Sequence, residues 1–172
     1  DMVRQYDIGG LIFFKGGPVQ QADLVNRYQA ASKTPLLIGM DLEWGLSMRL
    51  DSTIRFPRQM TLGAIHDEAG IEMMGEEIAR EMKRLGVQVS FSPDVDVNDN
   101  PANPVINDRS FGEDPELVAR KGIAYMTGLQ RGGVLATAKH FPGHGDTDQD
   151  SHKTLPMVSA SRARLDSVEL YP

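Results

Sequence analysis

Apolar and polar positions along this 172-residue chain alternate between two periods. Short continuous apolar runs bounded by glycine, proline or polar residues read as buried strands. Segments with apolar residues three and four apart read as helices. Ile8-Gly9-Gly10-Leu11-Ile12-Phe13-Phe14 is the first run, expected as a strand buried on both faces. Lys15-Gly16-Gly17-Pro18 breaks it, and Pro18 suits the first turn of a helix carrying Leu24, Val25 and Tyr28. Residues 36–41 form a second strand with Asp41 at its carboxyl end, and no helical period persists from there to Arg58, so residues 43–49 read as a long loop. Ile71, Met74, Ile78, Met82 and Leu85 mark one face of a helix that Gly86 ends, with the methionines as core packing. Residues 87–93 are a third strand leading into Asp94-Val95-Asp96. Asp114-Pro115 is an N-cap followed by a first-turn proline, opening a helix through Val118, Ile123, Met126 and Leu129 to Gly132-Gly133. Residues 133–138 are the fourth strand, delivering Lys139, and Ser161 caps a last helix through Leu165 and Val168.

Strand, loop and helix thus recur four times, the pattern of a parallel α/β sheet. Such sheets gather reactive groups at the carboxyl ends of their strands, where Asp41, Asp94, Asp96, Lys139 and His140 all fall. Periodicity does not separate an open sheet from a barrel. A dinucleotide-binding sheet needs a glycine-rich phosphate loop after its first strand, and Lys15-Gly16-Gly17-Pro18 lacks that spacing, with Pro18 removing one amide. The expectation is therefore a (β/α)8 TIM-type barrel. A full barrel takes about 250 residues, so residues 1–172 are expected to be a single domain and an internal portion of a partial barrel, with about four β/α units.

Composition narrows the partners. Forty per cent hydrophobic and 24 % charged residues are those of a globular domain. The net charge of −6 with no basic run argues against a nucleic-acid partner or an anionic membrane surface. No apolar stretch approaches the roughly 18 residues of a membrane-spanning segment. The absence of cysteine removes disulfides, thiolate zinc sites and thiol nucleophiles without fixing a cellular compartment.

Candidate chemistry concentrates in Lys139-His140-Phe141-Pro142-Gly143-His144-Gly145-Asp146-Thr147-Asp148-Gln149-Asp150-Ser151-His152, which holds three of the four histidines. One reading is a solvated polar loop. Another is a metal site built from His140 and His144 with Asp150 and His152, although Pro142 and Gly143 argue against the helix on which a His-x3-His pair shares a face. The third is a proton-transfer loop in which Asp150 orients His152, fixing its tautomer and raising its basicity for work near neutral pH.

Lys-His-Phe-Pro-Gly-His-Gly-Asp-Thr followed by Asp-Ser-His resembles glycoside hydrolase family 3 in its β-N-acetylhexosaminidase branch, and the likeness runs over residues 8–172. The resemblance implies the TIM-type barrel and a retaining exo-glycosidase acting on terminal β-linked N-acetylglucosamine, as in bacterial cell-wall saccharides, with no cofactor and no metal. It implies that His152 is the general acid/base with Asp150 as its partner. Asp41, Arg49, Arg109, Lys139 and His140 match positions that bind the sugar. The nucleophile, an aspartate after a late barrel strand, is expected beyond Pro172, so the remainder of the polypeptide would be needed to close the barrel and complete the catalytic pair. Alternatives are β-glucosidase or phosphorolytic chemistry, a catalytically incomplete sugar-binding module, and a metal-dependent hydrolase.

Overall fold

In the computed structural model, which describes residues 2–147 and 160–172, four parallel strands lie side by side in chain order. They are β1 (Gly10–Ile12), β2 (Leu37–Met40), β3 (Val89–Ser90) and β4 (Leu135–Ala136). Each step to the next strand passes through a long helix: α2 (Pro18–Ala31), then α4 (Glu68–Arg84) after the short α3 (Gln59–Gly63), then α5 (Pro115–Arg131). The short helices α1 (Met2–Tyr6) and α6 (Arg162–Ser167) flank this core. Sequential parallel neighbours joined by helices are consecutive β/α units, so the chain is built as part of a (β/α)8 barrel.

The helix signals act as their residue types dictate. Pro18 occupies the first turn of α2. The Asp67 carboxylate caps α4 by accepting from the Ala69 amide at 3.0 Å, and Asp114 caps α5 by accepting from Leu117 at 2.7 Å. Ser161 caps α6 by accepting from the Arg164 amide at 3.3 Å. Ile71, Ile78 and Met82 of α4 are fully buried with Val118, Tyr125 and Leu129 of α5, each such side chain contributing about 1.5–3 kcal/mol of apolar burial. The two helices touch where both carry glycine: a Cβ on Gly128 would lie 2.1 Å from the Glu72 carbonyl oxygen.

The two faces of the sheet differ. Ile38 and Met40 point to the helices and are fully buried. Ile12, Gly39, Val89 and Leu135 are in register and share the opposite face, where Ile12 is 52 % and Leu135 59 % exposed. The expectation that the strands are buried on both faces is therefore corrected. The helices cover one side only, and in a barrel the other side is covered by strands across the interior, which these four do not supply. The strands are also shorter than the apolar runs. Pro93 has no amide to donate, so the ladder past β3 becomes irregular, continuing through Phe91 N to Met40 O at 2.9 Å and Thr137 N to Ser92 O at 3.0 Å. It ends in a bridge between Asp94 and Lys139. The helices α1 and α3, five residues each, are too short to announce a period in sequence. Among the described residues no helix is long and apolar enough to cross a membrane.

Candidate active site

All four strand ends contribute to one cluster. Beyond β1 lies Phe14, with the Arg49 guanidinium 5.3 Å above its ring. Beyond β2 lie Asp41 and Glu43, beyond β3 lie Asp94 and Asp96, and beyond β4 lie Lys139 and His140. Arg109 arrives from a 3-10 turn, Asn107–Arg109, before α5. These groups surround a cleft of about 300 Å³ lined by Asp41, Glu43, Trp44, Arg49, Arg109 and His140, among others.

Asp41 is held by two cations. Its Oδ2 accepts from Arg49 Nη2 at 2.6 Å and its Oδ1 from Lys139 Nζ at 2.8 Å. Burial alone would raise this carboxyl, but Lys139 and Arg49 together bring it below the ordinary value. About a fifth of its side chain and a quarter of Arg49's stay exposed, so this pair opens onto the cleft instead of lying flat on the outer surface.

Glu43, fully buried, lies behind Asp41. Arg109 engages it as a fork, with Nε 2.9 Å and Nη2 2.8 Å from its two oxygens, and Lys139 Nζ is 2.9 Å from Oε1. Burial raises this carboxyl, and the guanidinium and ammonium outweigh burial to leave it lowered. The backbone carrying Glu43 is pinned by α5, whose buried Tyr125 hydroxyl lies 3.2 Å from the Leu42 carbonyl and 3.3 Å from that of Glu43.

The segment after β3 is equally fixed. The Gln59 amide of α3 accepts from Asp94 N at 3.1 Å and donates to Asp94 O at 2.5 Å. Asp96 organises the loop after β4: its Oδ1 accepts from His144 N at 2.7 Å, and its Oδ2 lies 2.6 Å from His140 Nδ1. Burial pushes Asp96 up, while the hydrogen bond to His140 and those to the His144 and His140 amides leave it lowered. His140 Nε2 lies 3.4 Å from Arg109 Nη2. Arginine only donates, so Nε2 accepts and the ring proton sits on Nδ1, directed at Asp96.

The 139–147 loop is stapled from below by two asparagines. Asn100 Nδ2 donates to the Asp146 carbonyl at 3.0 Å, and buried Asn103 donates to the His144 carbonyl at 2.6 Å while its Oδ1 accepts from the amides of Val105 and Ile106 at 2.8 Å each. Gly145 permits this contact, because a Cβ there would lie 1.7 Å from the Val97 carbonyl oxygen.

Of the residues singled out in sequence, the structure brings together Asp41, Arg49, Arg109, Lys139 and His140. Asp150 and His152 lie outside the described residues. His144 is not presented to the cleft as a ligand. It is buried, its Nδ1 bonds Thr147 Oγ1, and its ring meets that of His140 edge-on at a centroid distance of 6.1 Å. The ligand atoms of Asp94, Asp96 and His140 approach one another within 4.8 Å. Within that group Asp96 Oδ2 and His140 Nδ1 already face each other at 2.6 Å, and the Arg109 guanidinium stands 3.6 Å from Asp94.

Sequence reasoning passed over Glu43 and Gln59 and gave Asp94 and Asp96 no role beyond their place at a strand end. One signal was available. In extended chain, residues two apart point the same way, so Asp41 with Glu43, and Asp94 with Asp96, present paired carboxylates to one side. Gln59 carried no such mark, because α3 is invisible in the pattern.

Comparison with known proteins gives a consistent set of likenesses. All of residues 1–172 match the family model described as the glycosyl hydrolase family 3 N-terminal domain. Beta-hexosaminidase A of Pseudoalteromonas piscicida is 37 % identical over 185 aligned residues, covering 100 % of this chain and 31 % of that protein. A beta-hexosaminidase of Neisseria meningitidis is 35 % identical, covering 96 % of this chain and 48 % of its own length. A solved glycoside hydrolase family 3 beta-N-acetylglucosaminidase from Paenibacillus superposes with a TM-score of 0.91 at 41 % identity, covering 99 % of this chain and 34 % of that one. The chain thus spans about a third to a half of the length of these relatives.

Proposed function

This chain belongs to the glycosyl hydrolase family 3 N-terminal domain family, and from that membership and its cleft we propose that the protein is an exo-acting retaining glycosidase releasing terminal β-linked N-acetylglucosamine. The observation that carries this reading is the arrangement around Asp41. A half-buried carboxylate gripped by Arg49 and Lys139 leaves acceptor and donor positions side by side at the mouth of a cleft of monosaccharide size. Adjacent sugar hydroxyls each donate and accept, and fixed charged partners of both signs satisfy them with little reorganisation.

In this reading Asp41, Arg49, Arg109, Lys139 and His140 hold the sugar next to the scissile bond. Glu43 and Asp96 fix the orientation of Arg109 and His140. Asp150 and His152 supply the acid/base, protonating the departing oxygen and then taking a proton from water, as a retaining double displacement requires. A carboxylate nucleophile would come from elsewhere in the polypeptide. The preference for the N-acetyl sugar is supported by the beta-hexosaminidase and beta-N-acetylglucosaminidase relatives.

The test is release of nitrophenol from a nitrophenyl N-acetyl-β-glucosaminide by the full-length protein, in phosphate-free buffer and with added phosphate. Turnover without phosphate is expected. Turnover that requires phosphate, or that favours the plain glucoside, would replace this reading by phosphorolytic or β-glucosidase chemistry.

A further inference from the structure

The cleft is charged on nearly every side. Apart from Trp44 and Met48, every residue that lines it carries a charged side chain or an imidazole. A pyranose with equatorial substituents divides its surface differently, with hydroxyls around the rim and C–H bonds on its two faces. Charged groups match the rim. A face needs an apolar wall, and binding sites for small molecules combine such walls with a few polar groups that fix orientation.

Trp44 is partly buried, and its ring is held in place by a cation. The Arg58 guanidinium carbon lies over the indole, 4.3 Å from the ring centroid, an attraction between the cation and the π face. Arg58 is fixed in turn, because Asp108 Oδ1 accepts from its Nη1 at 2.7 Å. Arg58 is not among the residues that line the cleft, so the indole and not the guanidinium meets that space. The backbone beside the ring is also constrained. Gly45 has a φ of 80°, a Cβ there would lie 2.5 Å from the Phe56 ring, and the Phe56 amide donates to the Trp44 carbonyl at 3.4 Å. Met48 is placed by its sulfur, which accepts from the Glu43 amide at 3.4 Å. Arg58 directly precedes Gln59, so the chain at the start of α3 that clamps Asp94 also sets the indole.

We propose that Trp44 is a sugar-contacting residue, whose indole covers a C–H face of the bound pyranose while Asp41, Arg49 and Lys139 hold its hydroxyl rim. This rests on the sugar-binding reading above and adds to it the apolar wall of the same cleft. The indole brings a large, rigid apolar surface to the site. Arg58 and Asp108 order it before the sugar arrives, so little freedom is lost on binding. A hydroxyl aimed at the ring would be buried without a partner. The wall therefore selects the face of the sugar that carries only C–H bonds.

Trp44 is the one tryptophan of these 172 residues, so its emission reports on the cleft. The experiment titrates the full-length protein with N-acetylglucosamine, following calorimetric heat and tryptophan emission, for wild type, Trp44→Phe and Trp44→Ala. Wild type should show an emission change that saturates with the calorimetric curve and that Trp44→Phe lacks. A contact covering roughly 50 Å² of the sugar makes Trp44→Ala bind about tenfold more weakly, and Trp44→Phe, which keeps a flat ring, should retain most of the affinity. Equal affinity of Trp44→Ala and wild type overturns the assignment, as does calorimetric binding to wild type with the same emission response as Trp44→Phe. Failure of wild type to bind N-acetylglucosamine at all instead overturns the sugar-binding reading. If Trp44→Ala does not fold, the emission comparison between wild type and Trp44→Phe decides alone.

Discussion

Arg109 grips Glu43 through two parallel hydrogen bonds, 2.9 Å from Nε and 2.8 Å from Nη2, joining the turn before α5 to the loop after β2. The carboxylate is fully buried and the guanidinium nearly so. A buried pair of this kind need not stabilise the fold relative to apolar residues, but its disruption leaves an uncompensated charge. Glu43→Ala should lower stability by about 3–5 kcal/mol, measured by denaturant unfolding of the full-length protein. Arg109→Lys should lose the fork as well, since an ammonium cannot reproduce two parallel bonds. Near-wild-type unfolding of Glu43→Ala would mean that the fork is incidental.

Asp96 is predicted to act on binding more than on turnover. Asp96→Asn keeps the shape but replaces a charged acceptor facing His140 Nδ1 with an amide, so the imidazole loses its fixed orientation. The loss of a charge-assisted hydrogen bond is worth about 1.5–3 kcal/mol, which corresponds to a rise in KM of roughly 10- to 100-fold. Steady-state kinetics on an aryl N-acetyl-β-glucosaminide check it, and a fall in kcat at unchanged KM would contradict the assignment.

The carboxyls of the site predict opposite slopes of stability against pH. Asp41, Glu43 and Asp96 have folded values below their ordinary ones, with burial opposed and outweighed by Lys139, Arg109 and His140. Their contribution is present above the unfolded carboxylate range of about 4 and is lost as pH falls through the lower folded values. Asp94, raised by burial and by Asp96 and Glu43, behaves in reverse. Its contribution is present at acid pH and lost as pH rises from the unfolded range through the higher folded value. Asp94→Asn should therefore gain stability on wild type as pH rises across that window. Thermal unfolding as a function of pH reads both signs, and parallel curves for the two proteins would contradict the second.

Asn103 bonds both the 139–147 loop and its own loop. Its amide satisfies the His144 carbonyl, and its oxygen satisfies the amides of Val105 and Ile106. The His144 carbonyl keeps the Thr147 hydroxyl at 3.0 Å, so Asn103→Ala strands chiefly the two amides, at about 1–3 kcal/mol each. A loss of at least about 2 kcal/mol is expected in equilibrium unfolding, with a smaller loss for Asn103→Asp, which keeps the acceptor. Equal losses would show that the acceptor side contributes nothing.

The acid/base assignment predicts a dependence on leaving group. His152→Ala should depress cleavage of substrates with poor leaving groups far more than of those with activated phenols, since only the former need protonation. Equal impairment across a series of aryl N-acetyl-β-glucosaminides would remove His152 from that role.

How much of this was legible in the chain follows from the length scale of each signal. The helices α4 and α5 could be read, because seventeen residues each carry a repeating apolar stripe and an aspartate at the N-cap. The parallel topology followed from apolar runs separated by such helices. The exposed face bearing Ile12, Leu37 and Leu135 could not be read, since a run covered on one side and one covered on both have the same composition. In the site, Asp41, Arg49, Arg109, Lys139 and His140 were recognisable through family likeness. Their dependence on Glu43, Asp96 and Gln59 was not, because those hydrogen bonds join residues 35 to 66 positions apart and exist only once the strand ends converge.

In the proposed reading the converging strand ends form the sugar site. A crystal structure of the full-length protein with N-acetylglucosamine tests it directly. Ring hydroxyls are expected within hydrogen-bonding distance of Asp41, Arg49, Lys139 and His140, with the Arg109–Glu43 fork intact. A sugar seated elsewhere, or in the cleft without touching Asp41 and Lys139, would contradict it.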